Sequence, residues 1–131
     1  MEKEKGKKTK AGIDKKFFKN EVYSSMLKII ILSKLKKRKF YAYSLLKEIS
    51  KNTMIKNHFN VNNVKLKNDV YNTMRSLESS GYIKIYEINS NAAGKSDDKK
   101  AYYVLTKQGA EILFSIKKIF INAAHEIKKI I

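Results

Sequence analysis

Between residues 68 and 80 the apolar positions are spaced as on one face of a helix. Val70, Met74 and Leu77 follow the i, i+4, i+7 spacing of a stripe that packs on a core, and the positions that face away from them are polar. In a strongly basic chain, a helix whose outer face carries hydrogen-bonding side chains is a candidate for insertion in a DNA groove. The pattern therefore predicts a short amphipathic helix with a face available to a partner.

The residues at the two ends of this segment are of types that begin and end helices. Asn68 or Asp69 can cap the first turn, because a short side-chain oxygen accepts a backbone N–H that has no partner within the helix. Gly81 stands where a helix ends in the left-handed conformation, which glycine adopts without steric cost. The predicted helix therefore runs from Asn68 to Ser80.

Strand-forming segments lie on both sides of this helix along the chain. Residues 82–88 and 101–105 are rich in β-formers, and residues 89–100 between them are glycine, small and charged residues typical of turns. These segments predict a β-hairpin with a long, polar, partly basic tip. Residues 39–41 are short and aromatic, which favours an edge strand.

Two helices are predicted before the central one. The first, from about Asn20 to Lys37, has a broad apolar face, and the second runs from Ala42 to about Lys51. Residues 52–63 are asparagine-rich and weakly patterned. They either continue the second helix or form a loop, and the pattern does not decide between these alternatives.

The last helix begins after Thr106, which is suited to cap it, and carries an apolar stripe to the end of the sequence. The stripe advances by three or four residues at each step, close to the heptad spacing of paired helices. A domain of this size can cover only about half of such a helix, so the stripe needs a partner. The residues of the stripe that we expect to contact this partner are Ile112, Ile116, Ile119, Phe120, Ala123, Ile127 and Ile130.

Charge adds a class of partner to this picture. The 131 residues carry a formal net charge of +17, which favours a polyanion or an anionic membrane surface. Residues 1–19 form a lysine-rich arm of net charge +5 that is predicted to be disordered, and residues 20–105 have a net charge of +9 of their own. The arm either solubilises the protein or follows DNA phosphates.

Three short patterns occur in the order of these elements. A small residue and a tyrosine open the second helix, a tyrosine, two large apolar residues and a glycine mark the central helix, and two tyrosines, a leucine, a threonine and a glycine lead into the last helix. The residues are Ala42 and Tyr43; Tyr71, Met74, Leu77 and Gly81; and Tyr102, Tyr103, Leu105, Thr106 and Gly109. In these patterns the chain resembles the PadR family of transcriptional regulators over roughly residues 27–113. It departs from the family at Ala42, where a glycine is usual, and at Asn72, where a proline is common.

Element order and resemblance together predict a mainly α protein with a small β-hairpin (α+β). The predicted organisation is a basic arm over residues 1–19, a winged helix–turn–helix DNA-binding domain over residues 20–105, and a C-terminal dimerisation helix over residues 106–131. The resemblance implies a homodimer held by the C-terminal helix. It also implies binding to a pseudo-palindromic operator in double-stranded DNA, commonly with repression, with the third helix inserted in the major groove.

The expected DNA contacts follow from side-chain chemistry. Asparagine can bind adenine and arginine can bind guanine through two hydrogen bonds, whereas lysines bind phosphates. The chain has 27 lysines and 2 arginines, so base recognition depends on few residues. For each residue the alternative is a solvated surface side chain. The candidates are Asn68, Asn72, Thr73, Arg75 and Ser76 near bases, Lys65 and Lys67 on phosphates, and Lys95, Lys99 and Lys100 in the hairpin tip.

Other kinds of chemistry have little support in the sequence. There are no cysteines, the two histidines (His58 and His125) have no companions at metal-ligand spacing, and no catalytic or phosphate-loop motif occurs. We therefore expect no enzyme activity, no cofactor and no metal, and a cytoplasmic protein without a membrane span. A small-molecule effector is possible, but no residue indicates one. The alternatives to a sequence-specific regulator are a winged-helix module that binds protein and a protein that coats nucleic acid regardless of sequence.

Overall fold

Five helices and three strands make up the part of the chain that the computed structural model describes, which is residues 13–88 and 100–131, with side chains over 16–86 and 101–131. The elements, in chain order, are α1 (Ile13–Lys37), β1 (Phe40–Tyr41), α2 (Ala42–Ser50), α3 (Thr53–Phe59), α4 (Asn63–Ser79), β2 (Ile83–Ile88), β3 (Lys100–Leu105) and α5 (Lys107–Ile130). Three helices, a hairpin and a final helix in this order confirm the predicted fold class, with one short helix added.

A single apolar core joins α1 to the other elements. Val70, Met74 and Leu77 are buried as the helical spacing predicted, and each is 4% exposed or less. Removing such side chains from water is the main stabilising contribution, about 1.5–3 kcal/mol for each one that is fully buried. The other buried apolar residues are Tyr23, Leu27, Ile30, Ile31, Leu32, Leu35, Phe40, Leu45, Ile49, Ile55, Leu66, Ile83 and Leu113.

The sheet is antiparallel, with the strand order β1-β3-β2. Along one edge of β3, Phe40 pairs with Tyr103 and Tyr41 pairs with Tyr102. Along its other edge, Tyr86 of β2 pairs with Tyr102. Because directly paired residues share a face, Phe40 and Tyr103 lie on the side packed against the core. Tyr41, Tyr86 and Tyr102 form a row across the opposite side.

The segment that the sequence left undecided, residues 52–63, is neither a loop nor a continuation of α2. The side chain of Asn52 accepts a 3.0 Å hydrogen bond from the backbone N–H of Ile55 and begins the separate helix α3. Asn60 then ends α3 in the left-handed conformation, with φ of 51°. Ile55 is buried, so α3 contributes to the core.

The central helix begins earlier than predicted. Its cap is Asn62, whose side chain accepts a 2.8 Å hydrogen bond from the backbone N–H of Lys65, so the assignment of the cap to Asn68 or Asp69 was wrong. Leu66, four residues before Val70, is buried and extends the stripe by one turn. Several asparagines in this segment have the chemistry of a cap, and only the packing of Leu66 selects the first of them.

The first helix also begins earlier, at Ile13 instead of about Asn20. It therefore crosses the predicted boundary between the basic arm and the domain, and residues 13–19 are helical. Every described side chain from Lys16 to Val22 is exposed, and the first buried one is Tyr23. Residues 1–12 of the predicted arm lie outside the described residues.

Gly81, Thr106 and Gly109 connect the central helix, the sheet and the last helix. Gly81 has φ of 84°, as predicted for a residue that ends a helix. Thr106 caps α5, as also predicted, by accepting a 2.9 Å hydrogen bond from the backbone N–H of Gly109, and its hydroxyl donates a 2.7 Å bond to the carbonyl of Gly81. A Cβ at Gly109 would lie 2.0 Å from the carbonyl oxygen of Tyr82, so only glycine allows this close approach.

None of the helices in the described ranges is long and apolar enough to cross a membrane.

Candidate nucleic-acid interface

The outer face of α4 is a polar surface opposite the buried stripe. Asn68, Asn72, Arg75 and Ser76 are all exposed. At about 100° per residue, they lie within one broad face of the helix on the side away from Val70. The fold thus brings four of the five predicted base-contacting residues together, and we call this set the outer face.

Within the outer face, Arg75 is paired with Asn72. A terminal nitrogen of the Arg75 guanidinium donates a hydrogen bond to the side-chain oxygen of Asn72, three residues earlier on the same helix. Both groups are exposed, and both are types that form paired hydrogen bonds with purines. Their mutual bond holds the two side chains side by side in the free protein.

Thr73 and Lys67 differ from the other predicted contacts. Thr73 is half-buried, and its hydroxyl donates a 2.7 Å hydrogen bond to the carbonyl of Asp69, so only its oxygen remains as an acceptor. Lys67 is exposed but lies about 60° around the helix from Val70, away from the outer face. Lys65 lies on the outer face, where its ammonium is 2.9 Å from the carboxylate of Asp69.

Asp69 links the central helix to the first helix. Its carboxylate accepts a 2.8 Å hydrogen bond from the hydroxyl of Tyr23, in addition to its contact with Lys65. Burial of the ring, then the hydrogen bond to Asp69 and the charge of that carboxylate, raise the pKa of the Tyr23 hydroxyl well above its usual range. The start of α4 is thereby attached to α1 through a group that is neutral at physiological pH.

A groove of about 360 Å³ lies between α1 and α4 beside this contact. Lys16 and Asn20 line it from α1, and Lys65, Asn72 and Thr73 line it from α4. Neither Lys16 nor Asn20 is among the DNA contacts predicted from the sequence. The signal that could have found them is the spacing of Lys16, Asn20 and Tyr23, which share one helical face when α1 is extended toward its start.

The hairpin is described only in part. Lys95 and Lys99 fall outside the described residues, and Lys100 is described as a backbone position in β3, where it pairs with Ile88. Where β1 pairs with β3, the rings of Tyr41 and Tyr102 stack with centroids 4.1 Å apart, and their hydroxyl oxygens are 2.6 Å apart. These two rings thus pack on each other on the outer side of the sheet.

Two basic side chains near the sheet contact aromatic rings of the same molecule. The Lys39 ammonium lies 4.5 Å from the centroid of the Tyr102 ring, and the Arg38 guanidinium lies 3.9 Å from the centroid of the Phe40 ring. Tyr71 and Tyr103 are half-buried and packed against the core. Among the described residues, no group of three or more histidine, aspartate or glutamate side chains is arranged to hold a metal ion.

The last helix leaves the domain after its second turn. Leu113 is buried, Ile112 and Ile116 are half-buried, and every residue from Lys117 to Ile131 is exposed. The predicted stripe continues along this exposed part: Ile119 is 61% exposed and Ile127 is 51% exposed. The described part of the molecule therefore presents an uncovered apolar stripe on α5.

Solved structures with the same arrangement exist. A transcriptional regulator from Clostridium thermocellum is similar with a TM-score of 0.62 and 23% identity, over 83% of this chain and 93% of that one. A PadR family transcriptional regulator from Eggerthella lenta gives a TM-score of 0.64 and 21% identity, over 92% of this chain and 93% of that one. The chain has a PadR-like winged-helix fold. No protein-family model and no curated protein sequence matches it.

A third similar structure was solved with DNA bound. The structure of Bacillus subtilis PadR, solved in complex with operator DNA, is similar with a TM-score of 0.50 and 19% identity, over 69% of this chain and 45% of that one. The helix before the hairpin is α4, the fourth along the chain and not the third, because α3 is a separate helix.

Proposed function

We propose that the protein is a homodimeric, sequence-specific DNA-binding transcriptional regulator that acts as a repressor in the cytoplasm. In this proposal α4 enters the major groove, and the two copies of α4 bind successive grooves of a pseudo-palindromic operator about 34 Å apart. Repression would follow because the bound dimer excludes the transcription machinery from the site. The protein has no catalytic role in this scheme.

The observation that supports this function best is the chemistry of the outer face. Asn72 and Arg75 stand side by side at the middle of an exposed helix face, with Asn68 and Ser76 flanking them. Amide and guanidinium groups distinguish bases through paired hydrogen bonds, each worth about 1–3 kcal/mol of discrimination.

Charge supplies the affinity in this proposal. Residues 20–105 have a net charge of +9, so the domain attracts a polyanion even without its arm. Lys65 and Lys67 of α4, and Lys95, Lys99 and Lys100 of the hairpin, would bind phosphates. Such contacts carry no sequence information, but they position the protein on the duplex.

The dimer would form through α5. An exposed apolar stripe on a helix becomes stable when a second helix covers it, and a twofold pair of α5 helices covers both stripes at once. The dimerisation residues would be Ile112, Ile116, Ile119, Phe120, Ala123, Ile127 and Ile130. The chain would then consist of the arm at residues 1–19, the DNA-binding domain at residues 20–105 and the dimerisation helix at residues 106–131.

Selection of bound duplexes from a pool of random DNA tests this function. A regulator of this kind should enrich one pseudo-palindromic consensus whose half-sites are about one helical turn apart. Enrichment of DNA without a consensus would instead indicate coating regardless of sequence. Failure to retain any duplex at low salt would indicate that the outer face binds protein, and either result would contradict the proposal.

A further inference from the structure

The start of α1 is longer than the core requires. From Lys16 to Val22 every side chain is exposed, so burial does not explain why the helix extends two turns before Tyr23. This extension nevertheless lies against α4, where Lys16 and Asn20 face Asn72 and Thr73 across the groove. The extension therefore lines a surface that includes part of the candidate DNA interface.

The groove offers hydrogen-bond donors of the kind that bind an anion. Lys16 and Lys65 contribute ammonium groups, and Asn20 and Asn72 contribute amides. Asp69 also lines the groove, but its carboxylate already accepts from Tyr23 at 2.8 Å and from Lys65 at 2.9 Å. The charges of Lys65 and Asp69 thus offset each other, and Lys16 gives the groove a net charge of +1.

We propose that this groove holds one phosphate of the DNA backbone, bound by Lys16 and Asn20 while Asn72 and Arg75 contact the adjacent bases. The inference rests on the proposed function and adds α1 to its DNA-binding surface. Asn72 belongs both to the groove and to the outer face, since it lines the groove and also accepts the hydrogen bond from Arg75. A strand whose bases lie against Arg75 must pass its backbone along one side of α4, and the groove lies on such a side.

Asn20 sets the orientation of the phosphate in this arrangement. An ammonium group attracts a phosphate from any direction, whereas an amide N–H donates along a fixed direction. Asn20 lies one turn after Lys16 on the same face of α1, so both can reach the same anion. The pair would place the recognition helix at a defined depth and register in the major groove.

The salt dependence of binding to a random-sequence duplex tests the charge contribution of Lys16. Each neutralised phosphate contributes about 0.9 to the slope of log affinity against log salt, so Lys16→Ala should lower the magnitude of the slope by about 1. Lys28→Ala removes the same charge from the same helix at an exposed position outside the groove and should leave the slope unchanged. An equal slope for Lys16→Ala and the wild type would overturn the proposal.

Substituted DNA identifies the phosphate itself. On the selected duplex, single phosphates are replaced by neutral methylphosphonates, one position at a time. One position in each half-site should weaken binding of the wild type about tenfold and weaken binding of Lys16→Ala clearly less, since both changes remove the contact of Lys16. If every position weakens both proteins equally, Lys16 contacts no particular phosphate and the proposal is wrong.

A free phosphate ion is the other possible source of the same chemistry. Titration of inorganic phosphate into the DNA-free protein, followed through the backbone amide signals of Lys16 and Asn20, should show no saturation at millimolar concentration. Saturable binding that Lys16→Ala abolishes, with an unchanged slope on DNA, would assign the groove to a soluble phosphate compound and overturn the backbone assignment. A wild type that binds no DNA would refute the proposed function itself, whereas binding with an unaltered Lys16→Ala slope refutes only the role of the groove.

Discussion

The hydroxyl of Tyr23 donates a 2.8 Å hydrogen bond to the carboxylate of Asp69, which joins α1 to α4 across 46 positions of sequence. The ring of Tyr23 is 7% exposed and packs at 5.4 Å from the ring of Phe59, while Asp69 is also contacted by Lys65. The bond therefore connects the buried core to the edge of the candidate DNA interface.

Loss of this hydroxyl should weaken the domain. Tyr23→Phe keeps the ring and removes the hydrogen bond to a carboxylate, so we expect the free energy of unfolding to fall by about 1–2 kcal/mol. Urea denaturation measures the change. Tyr43→Phe is the matched control because the Tyr43 side chain is 63% exposed, and it should change stability by less than about 0.5 kcal/mol. Equal effects of the two substitutions would mean that the Tyr23 bond contributes nothing.

Stability should fall in alkaline solution. Burial raises the pKa of Tyr23 and of Tyr103, and the hydrogen bond between the hydroxyls of Tyr41 and Tyr102 raises the pKa of Tyr41. Between about pH 10, where tyrosines of the unfolded chain ionise, and the raised values, the folded state holds more protons, so its stability decreases as pH rises. Below a pH of about 10 these tyrosines are protonated in both the folded and the unfolded state, so their full contribution to stability is present.

Denaturation at a series of pH values measures this decrease, and Tyr23→Phe should make it shallower by removing the most strongly shifted of these groups. The control is again Tyr43→Phe, which should leave the slope as in the wild type. A decrease that is equally steep in both variants would show that other groups control the alkaline transition.

The junction between the sheet and the last helix should depend strongly on Gly109. In Gly109→Ala the new methyl group would lie 2.0 Å from the carbonyl oxygen of Tyr82 and 2.7 Å from a methyl of Leu105, so the helix must move. We expect a loss of about 3 kcal/mol, at the upper end for overpacked positions. Thermal denaturation followed by circular dichroism measures it.

Gly81→Ala provides the comparison for that junction. Its backbone has φ of 84°, which costs an alanine about 1–2 kcal/mol, but the nearest atom to a new Cβ is the flexible end of Gln108 at 3.1 Å. The loss of stability should therefore be smaller than for Gly109→Ala. The opposite order would contradict the close approach seen at Tyr82.

Arg75 and Asn72 should control discrimination between DNA sequences. Replacing either by alanine should reduce the preference for the selected operator over random DNA by about 1–3 kcal/mol, because both groups are suited to paired hydrogen bonds with bases. Lys67→Ala on the same helix should weaken binding to both DNAs alike, as expected for a phosphate contact. Fluorescence anisotropy at fixed salt measures both affinities. If the Arg75 and Lys67 variants behave alike, the outer face is assigned to the wrong residues.

The apolar stripe of α5 should determine the oligomeric state. Ile127→Asp places a charge on the stripe at a position that is 51% exposed, so it should yield monomers without unfolding the domain. Ile121→Asp is the matched control, since Ile121 is 67% exposed and lies on the opposite side of the helix, about 180° from Ile112. Sedimentation equilibrium distinguishes the two states. A dimer that survives Ile127→Asp, or is lost in Ile121→Asp, would rule out this interface.

Local patterns were sufficient for much of the structure. The spacing of Val70, Met74 and Leu77 identified the buried side of α4, and with it the exposed outer face, because a helix places every third or fourth residue on one side. Gly81 and Thr106 were identified as helix-terminal residues since their roles depend on their own backbone and on neighbours a few residues away. The resemblance carried by short patterns led to the same fold that the solved structures share.

Only the tertiary structure decided where the helices begin and which distant residues meet. The start of α4 depends on Leu66 reaching the core, and the choice of Asn62 over the later asparagines follows from that packing. The placement of Lys16 beside Asn72, and of Tyr23 against Asp69, depends on the crossing of two helices that are far apart in sequence. Periodicity specifies which side of a helix is buried, but the angle and distance at which two helices pack are set by all the side chains between them.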